Sequence, residues 1–194
     1  MKKGSYMEAL LRSDQTVFSL QEIALLWKSP TDNATRVRIN YYVKKGSLIH
    51  LRRGLYAKDE NYNPLELATK IYAPSYVSFE TVLVRAGICF QFHAVIYVAS
   101  TLSRSIKVGE QQYLFIKMKL PLLTNPAGIE HKKQTSIANV ERAFLDTLYA
   151  HTDYHFDNLS PIRWETVFEL LPHYKNKQME KRVGRLYKAF LAGE

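Results

Sequence analysis

The sequence predicts an α+β fold with two domains, one spanning residues 1–60 and a mixed α/β one spanning residues 61–194. Two observations lead to this prediction. In the first third of the chain, apolar residues at helical spacing precede a hairpin pattern. Beyond it, β-branched and aromatic runs alternate with helical patterns. The polar, turn-like segment DENYN at residues 59–63 lies between the two regions and predicts the boundary.

The N-terminal region begins with two predicted helices. SYMEALLRS carries apolar residues at helical spacing, which predicts a short amphipathic helix. After a β-prone segment at 16–18, Ser19 and Glu22 form the pattern of a capping box ahead of IALLW. A second helix is therefore expected, ending near Pro30.

A third helix and a hairpin complete this region. TRVRINYYVKK predicts a helix that ends at Gly46, because glycine is favoured just after a helix. SLIHL and LYAK predict two strands joined by a tight turn at Arg52-Arg53-Gly54. Three helices followed by a hairpin is the layout of a winged helix-turn-helix, in which the third helix enters the major groove of DNA.

Residues 61–194 contain five predicted helices and three predicted strands, with IKVGE expected as a turn. The helices are predicted over PLELATKIYA, ETVLVRAG, ANVERAFLDTLYA (with Asn139 as cap), WETVFELLPHY and KQMEKRVGRLYKAFLA. The strands are predicted over SYVSF, HAVIYVAS and QQYLFIKMKL.

Charge is unevenly distributed along the chain. The net charge is +9, and residues 1–58 hold 11 lysines and arginines against 4 acidic side chains. A basic segment of this kind predicts a polyanionic partner, here double-stranded DNA. The pairs Lys44-Lys45 and Arg52-Arg53 would end the third helix and occupy the hairpin tip, where they could contact phosphates with little regard to base sequence.

Two registers of the third helix remain open. In one, Ile39, Tyr42 and Val43 face the core; in the other, Ala34, Val37 and Tyr41 pack inward. We favour the first, in which Asn33 and Asn40 also face outward, because Val43 lies next to the apolar stretch after Gly46. The spacing puts Arg36 and Arg38 on opposite flanks in either register, and we expect them to reach DNA. The candidate DNA-binding residues are Thr35, Arg36, Arg38, Lys44, Lys45, Arg52 and Arg53.

Several stretches resemble the AbiEi-type antitoxins of type IV toxin–antitoxin systems. The first runs through FSLQEIALL and YYVKKGSLIHLRRGLYA and includes Lys45, Gly46, Leu48, Arg52, Arg53, Gly54 and Tyr56. YVSFETVLVRAGI is similar to the family's strand–helix segment. VERAFLDTLY is similar to its Glu-Arg-Ala-x-Leu-Asp helix through Glu141, Arg142, Ala143, Leu145 and Asp146. The resemblance covers residues 18 to 150, with Val140 where the family often has proline, and does not extend past residue 151.

The resemblance implies that the protein binds inverted repeats at its own promoter and represses it. It further implies that the C-terminal domain is needed to neutralise a nucleotidyltransferase-like toxin without a stable complex. No cofactor is implied, and we expect no enzymatic activity. Two alternatives remain: a nucleic-acid-processing enzyme docked by the winged helix, and a protein-interaction module that uses the basic, amphipathic last helix.

Other possible sites have weaker patterns. His151, Asp153, His155 and Asp157 lie close together, but a polar loop after a helix is a simpler interpretation than a metal site. Asp146, Glu141 and Arg142 are interpreted as cap, dipole and ion-pair residues. The one cysteine, Cys89, is expected to be a buried, reduced thiol. With no apolar run long enough for a membrane span and no signal-peptide pattern, the sequence predicts a cytoplasmic protein.

Overall fold

A computed structural model describes residues 5–91, 94–132 and 134–193. Its first part contains three helices and a three-stranded antiparallel sheet with the order β1-β3-β2. The elements are α1 (Ser5–Leu11), β1 (Val17–Ser19), α2 (Leu20–Leu26), α3 (Asn33–Lys44), β2 (Ile49–Arg52) and β3 (Leu55–Ala57).

Local capping sets the ends of these helices. The Ser19 hydroxyl accepts from the Glu22 backbone N–H, and the Glu22 carboxylate accepts from the Ser19 N–H, which confirms the predicted capping box. The Asp32 carboxylate accepts from the Thr35 N–H, so α3 begins at Asn33, earlier than predicted. α2 ends at Leu26, short of Pro30, because Lys28 adopts the left-handed region with a φ of 51°.

Gly46 and Gly54 adopt the conformations their positions require. Gly46 follows α3 with a φ of 72°, and Gly54 lies in the hairpin turn with a φ of 78°. Residues with a Cβ atom rarely adopt such angles. The predicted helix end is therefore confirmed, and the hairpin turn is confirmed at Arg53 and Gly54.

The three helices and the small sheet enclose a core of their own. Its fully buried or nearly buried members are Leu10, Phe18, Ile23, Trp27, Ile39, Tyr42 and Leu48. Burial of each large apolar side chain contributes about 1.5–3 kcal/mol relative to exposure. The Trp27 indole N–H also donates to the carbonyl of Tyr6 at 2.9 Å, which ties α1 to the end of α2.

The rest of the described chain surrounds a mixed sheet with the order β6-β7-β5-β4-β9-β8. Its strands are β4 (Tyr76–Val77), β5 (Val95–Ser100), β6 (Arg104–Val108), β7 (Gln111–Lys117), β8 (Ile129–Lys132) and β9 (Thr135–Ala138). Its helices are α4 (Pro64–Ile71), α5 (Glu80–Leu83), α6 (Leu120–Leu123), α7 (Val140–Ala150), α8 (Trp164–Leu170) and α9 (Lys177–Ala192), with a 3-10 turn at Leu171–Tyr174.

Two of the predicted elements differ from those observed. IKVGE is not a turn throughout: 106–108 belong to β6, and the turn is confined to Gly109 and Glu110. The helix predicted through WETVFELLPHY ends at Leu170 and continues as a 3-10 turn that contains Pro172. The first residue of the predicted strand HAVIYVAS, His93, lies outside the described residues.

Alternate side chains of the central strands β4 and β5 point to opposite faces of the mixed sheet, and each face has its own core. On one face, Tyr76 and Ala99 pack with α5, α7 and α8. On the other, Val77 and Val98 pack with α4 and with N-terminal residues. Val17 of β1 and Leu55 of β3 belong to this second core, so the small N-terminal sheet and the mixed sheet share buried apolar surface.

Within the described residues, no helix is long and apolar enough to cross a membrane.

Candidate nucleic-acid interface

The third helix, α3, buries one face and exposes the other. Ile39 is fully buried and Tyr42 is 7% exposed, whereas Val37 is 60% and Tyr41 46% exposed. These exposures confirm the favoured register, with Ile39 and Tyr42 toward the core. The outward side chains of α3 are Asn33, Ala34, Arg36, Val37, Asn40, Tyr41 and Lys44.

Arg36 and Arg38 lie on opposite flanks of α3, as the spacing predicts. Arg36 is exposed and lies on the hairpin side of α3, near Tyr56 of β3. Burial raises the pKa of the Tyr56 hydroxyl, and the positive charge of Arg36 partly opposes this rise. Arg38 is half-buried on the side of α1, with its guanidinium carbon 4.3 Å from the centre of the Tyr6 ring. Part of its cationic surface is therefore covered by an aromatic face.

Thr35 does not face outward. Its side chain is 1% exposed, and its hydroxyl donates to the Pro30 carbonyl at 2.8 Å. The residue lies in the first turn of α3, on the stripe that also carries Ile39, and secures the loop that leads into the helix. The Thr35 side chain is therefore not part of the surface that α3 exposes, and its burial argues against the predicted contact with DNA.

Three further predicted cations are exposed. Lys44 and Lys45 end α3, and Arg53 lies in the turn between β2 and β3. Within the described residues, none of these side chains, nor Arg36, has an acidic side chain in ion-pair distance. Their charges are thus available to a polyanion.

Arg52 departs from its predicted position. It lies in β2 rather than in the turn, and a register shift between His50 and Arg52 places it opposite Leu55. Directly opposed residues of an antiparallel pair point to the same face, and Leu55 points into the core shared with the mixed sheet.

The Arg52 side chain consequently turns toward the body of the protein. Its guanidinium carbon lies 6.0 Å from the centre of the Tyr72 ring, at the end of α4. Its Nη1 atom is buried without a hydrogen-bond partner among the described residues. We therefore correct the expectation that Arg52 stands at the hairpin tip beside Arg53.

The helix that resembles the Glu-Arg-Ala-x-Leu-Asp segment carries a buried polar cluster. Arg142 and Asp146 have no exposed side-chain surface, and the Arg142 Nε lies 3.3 Å from the Asp146 Oδ1. The hydroxyls of Tyr76, Ser78 and Tyr174 donate to the Asp146 carboxylate at 2.9, 2.8 and 2.6 Å. Arg142 also donates to two main-chain carbonyls, so the charges are paired and solvated by protein groups.

Glu141, next in the same motif, has a structural partner as well. Its carboxylate is 1% exposed and accepts from the Arg163 Nε at 2.9 Å and from Arg163 Nη2 at 3.2 Å. Burial would raise the pKa of Glu141, but Arg163 outweighs this effect and holds the pKa below its ordinary value. The interpretation of Glu141, Arg142 and Asp146 as ion-pair residues is confirmed.

The remaining candidate residues lie in the loop after α7 and around Cys89. In the part of the chain that the structure describes, no three His, Cys, Asp or Glu side chains are grouped so that they could hold a metal ion. Asp157, from the HTDYHFD segment, accepts from the Phe90 backbone N–H at 2.8 Å. Cys89 is a buried free thiol, as expected, and its Sγ lies 3.5 Å from the Tyr154 hydroxyl.

No protein-family model matches this chain, and a comparison with curated proteins found no match.

Proposed function

We propose that this protein binds double-stranded DNA through a winged helix-turn-helix formed by α1–α3 and the β2–β3 hairpin. The order of the elements supports the proposal, since three helices precede a hairpin whose second strand also pairs with the strand between α1 and α2. The observation that carries it is the exposed face of α3, on which Arg36, Lys44 and Lys45 have no acidic partner among the described residues.

In this arrangement the contacts have separate roles. Arg36 on the hairpin side of α3, Lys44 and Lys45 at its end, and Arg53 at the hairpin turn would neutralise phosphates on either side of the groove. Arg38, stacked on Tyr6, would contribute at the opposite edge. Neither Thr35 nor Arg52 belongs to the proposed contact set, because both side chains face the interior.

The biological role we propose is that of a cytoplasmic autorepressor and antitoxin of a type IV toxin–antitoxin system. The protein would bind inverted repeats upstream of its own gene and neutralise a nucleotidyltransferase-like toxin without forming a stable complex with it. This part of the proposal rests on the sequence resemblance to AbiEi-type antitoxins. It assigns a binding function, not a catalytic one, to the chain.

Titration of labelled DNA from upstream of the gene with the full-length protein tests the DNA-binding proposal. We expect affinity to fall steeply with salt, and the combined change Arg36→Ala and Lys44→Ala to weaken binding most at low salt. Removal of each cation that neutralises a phosphate should flatten the slope of log affinity against log salt by about 0.9. Arg53→Ala should weaken binding to all duplexes alike.

Arg185→Ala combined with Lys188→Ala is the matched control, because it likewise removes two positive charges, here from the exposed side of α9. Its salt dependence should equal that of the unmodified protein. Equal binding by the α3 variant and the α9 variant would refute the assigned interface. The antitoxin role is tested separately: induction of the gene beside this one should arrest growth, and co-expression of this protein should restore it.

A further inference from the structure

The centre of the exposed face of α3 is apolar and uncharged. Val37 lies on the side of the helix opposite the Ile39 and Tyr42 core and is 60% exposed. A depression of about 440 Å³ adjoins it. The depression is lined by Tyr6, Ala34, Val37, Arg38, Tyr41 and Tyr42.

Resting on the proposed DNA-binding function, we propose that this face reads A·T base pairs, with Val37 and Ala34 against thymine methyl groups and Asn33 and Asn40 against adenine edges. The C5 methyl of thymine is the apolar group that a base pair presents in the major groove. An exposed valine at the centre of a reading helix gains by excluding water from that methyl group and gains nothing from the polar edge of a G·C pair.

The amides extend the same preference. Asn33 and Asn40 flank Val37 along the exposed face of α3, and both are exposed. An asparagine amide can both donate to adenine N7 and accept from the adenine N6 amino group. Asn33 is also the first residue of the helix, at the end that contacts base edges in helix-turn-helix complexes.

The positions of the arginines argue against guanine recognition at the centre. Bidentate arginine is the commonest reader of guanine. Here Arg36 lies on the hairpin flank, and the Arg38 guanidinium is stacked 4.3 Å from the centre of the Tyr6 ring. The cations therefore surround the face, where phosphates would lie, while its middle carries uncharged groups: apolar side chains, amides and the Tyr41 ring.

Selection from a random duplex library with the full-length protein, followed by thymine-to-uracil replacement in the selected site, tests this inference. We expect enrichment of A·T-rich half-sites. Uracil, which lacks only the C5 methyl group, should weaken binding about fivefold to tenfold at the thymine under Val37. In Val37→Ala the same replacement should have little effect, because the contact is already absent.

Asn40→Ala provides a second variant that does not depend on the methyl group. It should relax the preference for adenine at one position and leave the salt slope unchanged. Both substitutions are at exposed positions, so the melting temperature should stay that of the unmodified protein.

The outcomes separate this inference from the function on which it rests. Specific, salt-sensitive binding to a G·C-rich site, or binding indifferent to uracil at every thymine, would overturn the inference and leave DNA binding intact. Failure to enrich any duplex, together with DNA retention that does not depend on salt, would overturn both the inference and the proposed DNA binding. Saturable capture of a protein on the Val37 face without DNA binding would also overturn both.

Discussion

Asp146 is a carboxylate with no exposed surface that accepts four hydrogen bonds from side chains, one of them on α7 itself. Burial raises its pKa, while Arg142 and the surrounding hydroxyl groups oppose this rise. A residue of this kind in a motif invites a catalytic interpretation. Its surroundings instead place it among groups that stabilise the ion pair and join α7 to β4.

Asp146→Ala should be strongly destabilising, because it leaves Arg142 buried without its counter-charge and removes the carboxylate that accepts from three hydroxyls. Removing one partner of a buried pair costs about 3–5 kcal/mol. Urea denaturation followed by circular dichroism measures this loss. Asp153→Ala, the same change at an exposed position, should alter the free energy of unfolding by less than about 0.5 kcal/mol. Similar midpoints for the two variants would contradict the assigned role.

Between elements, Lys70 of α4 connects the N-terminal helices to the body. Its Nζ lies 2.6 Å from the Glu22 carboxylate of α2 and 3.5 Å from that of Glu66. Glu66 is 1% exposed and accepts from the backbone N–H and the hydroxyl of Thr16, at 2.9 and 2.6 Å. The start of β1 and the first turn of α2 are thereby held on α4.

This contact predicts a pH dependence. Burial alone would raise the pKa of Glu22, but Lys70 and the Ser19 N–H outweigh it and lower the pKa below the ordinary 4.5. The pKa of Glu22 is lower in the folded state than in the unfolded state. The Glu22 carboxylate therefore contributes its full stabilisation at pH values above the unfolded-state pKa. The contribution is lost as pH falls through the folded-state pKa.

Glu22→Gln should therefore lower the melting temperature at pH 7, and its difference from the unmodified protein should shrink between about pH 5 and pH 3. Thermal melts at several pH values measure this convergence. Glu60→Gln, at an exposed position, should follow the unmodified protein throughout. A gap for Glu22→Gln that is constant with pH would show that the carboxylate charge contributes nothing.

At the scale of the whole molecule, the shared core argues for one cooperative unit. Val17 of β1 and Leu55 of β3 are buried against the mixed sheet, so separating the small N-terminal sheet from it would expose apolar surface on both sides. The chain has two tryptophans, and they report on different cores: Trp27 lies among α1–α3, and Trp164 lies beside α7 and α9.

Variants with a single tryptophan test this cooperativity. In Trp164→Phe the fluorescence reports on the N-terminal core, and in Trp27→Phe on the C-terminal one. Within each variant, we expect the urea transitions by fluorescence and by far-UV circular dichroism to coincide, as they do for two-state unfolding. A fluorescence transition of Trp27 at lower urea than the circular dichroism transition would mean that the N-terminal region unfolds by itself.

Local chemistry determined much of the N-terminal region. The capping box at Ser19, the glycines at 46 and 54, and the helical spacing of Ile39 and Tyr42 each act over a few residues, so the sequence alone predicts α2, α3, the hairpin and the exposed face of α3. The predicted division at residue 60 stays a prediction. The basic character of the surface also follows from composition, because lysine and arginine side chains are mostly exposed to solvent.

Other features depended on contacts between distant segments. The polar strand pattern of β8 gave no alternation to detect, since its side chains lie mostly in water, and its pairing with β9 defines it as a strand. Thr35 is buried on the stripe of α3 that carries Ile39, and Arg52 turns inward toward the ring of Tyr72, which lies far away in the sequence. Which charged side chains face a partner and which face the interior was thus decided by tertiary packing, because burial depends on neighbours that lie far away in the sequence.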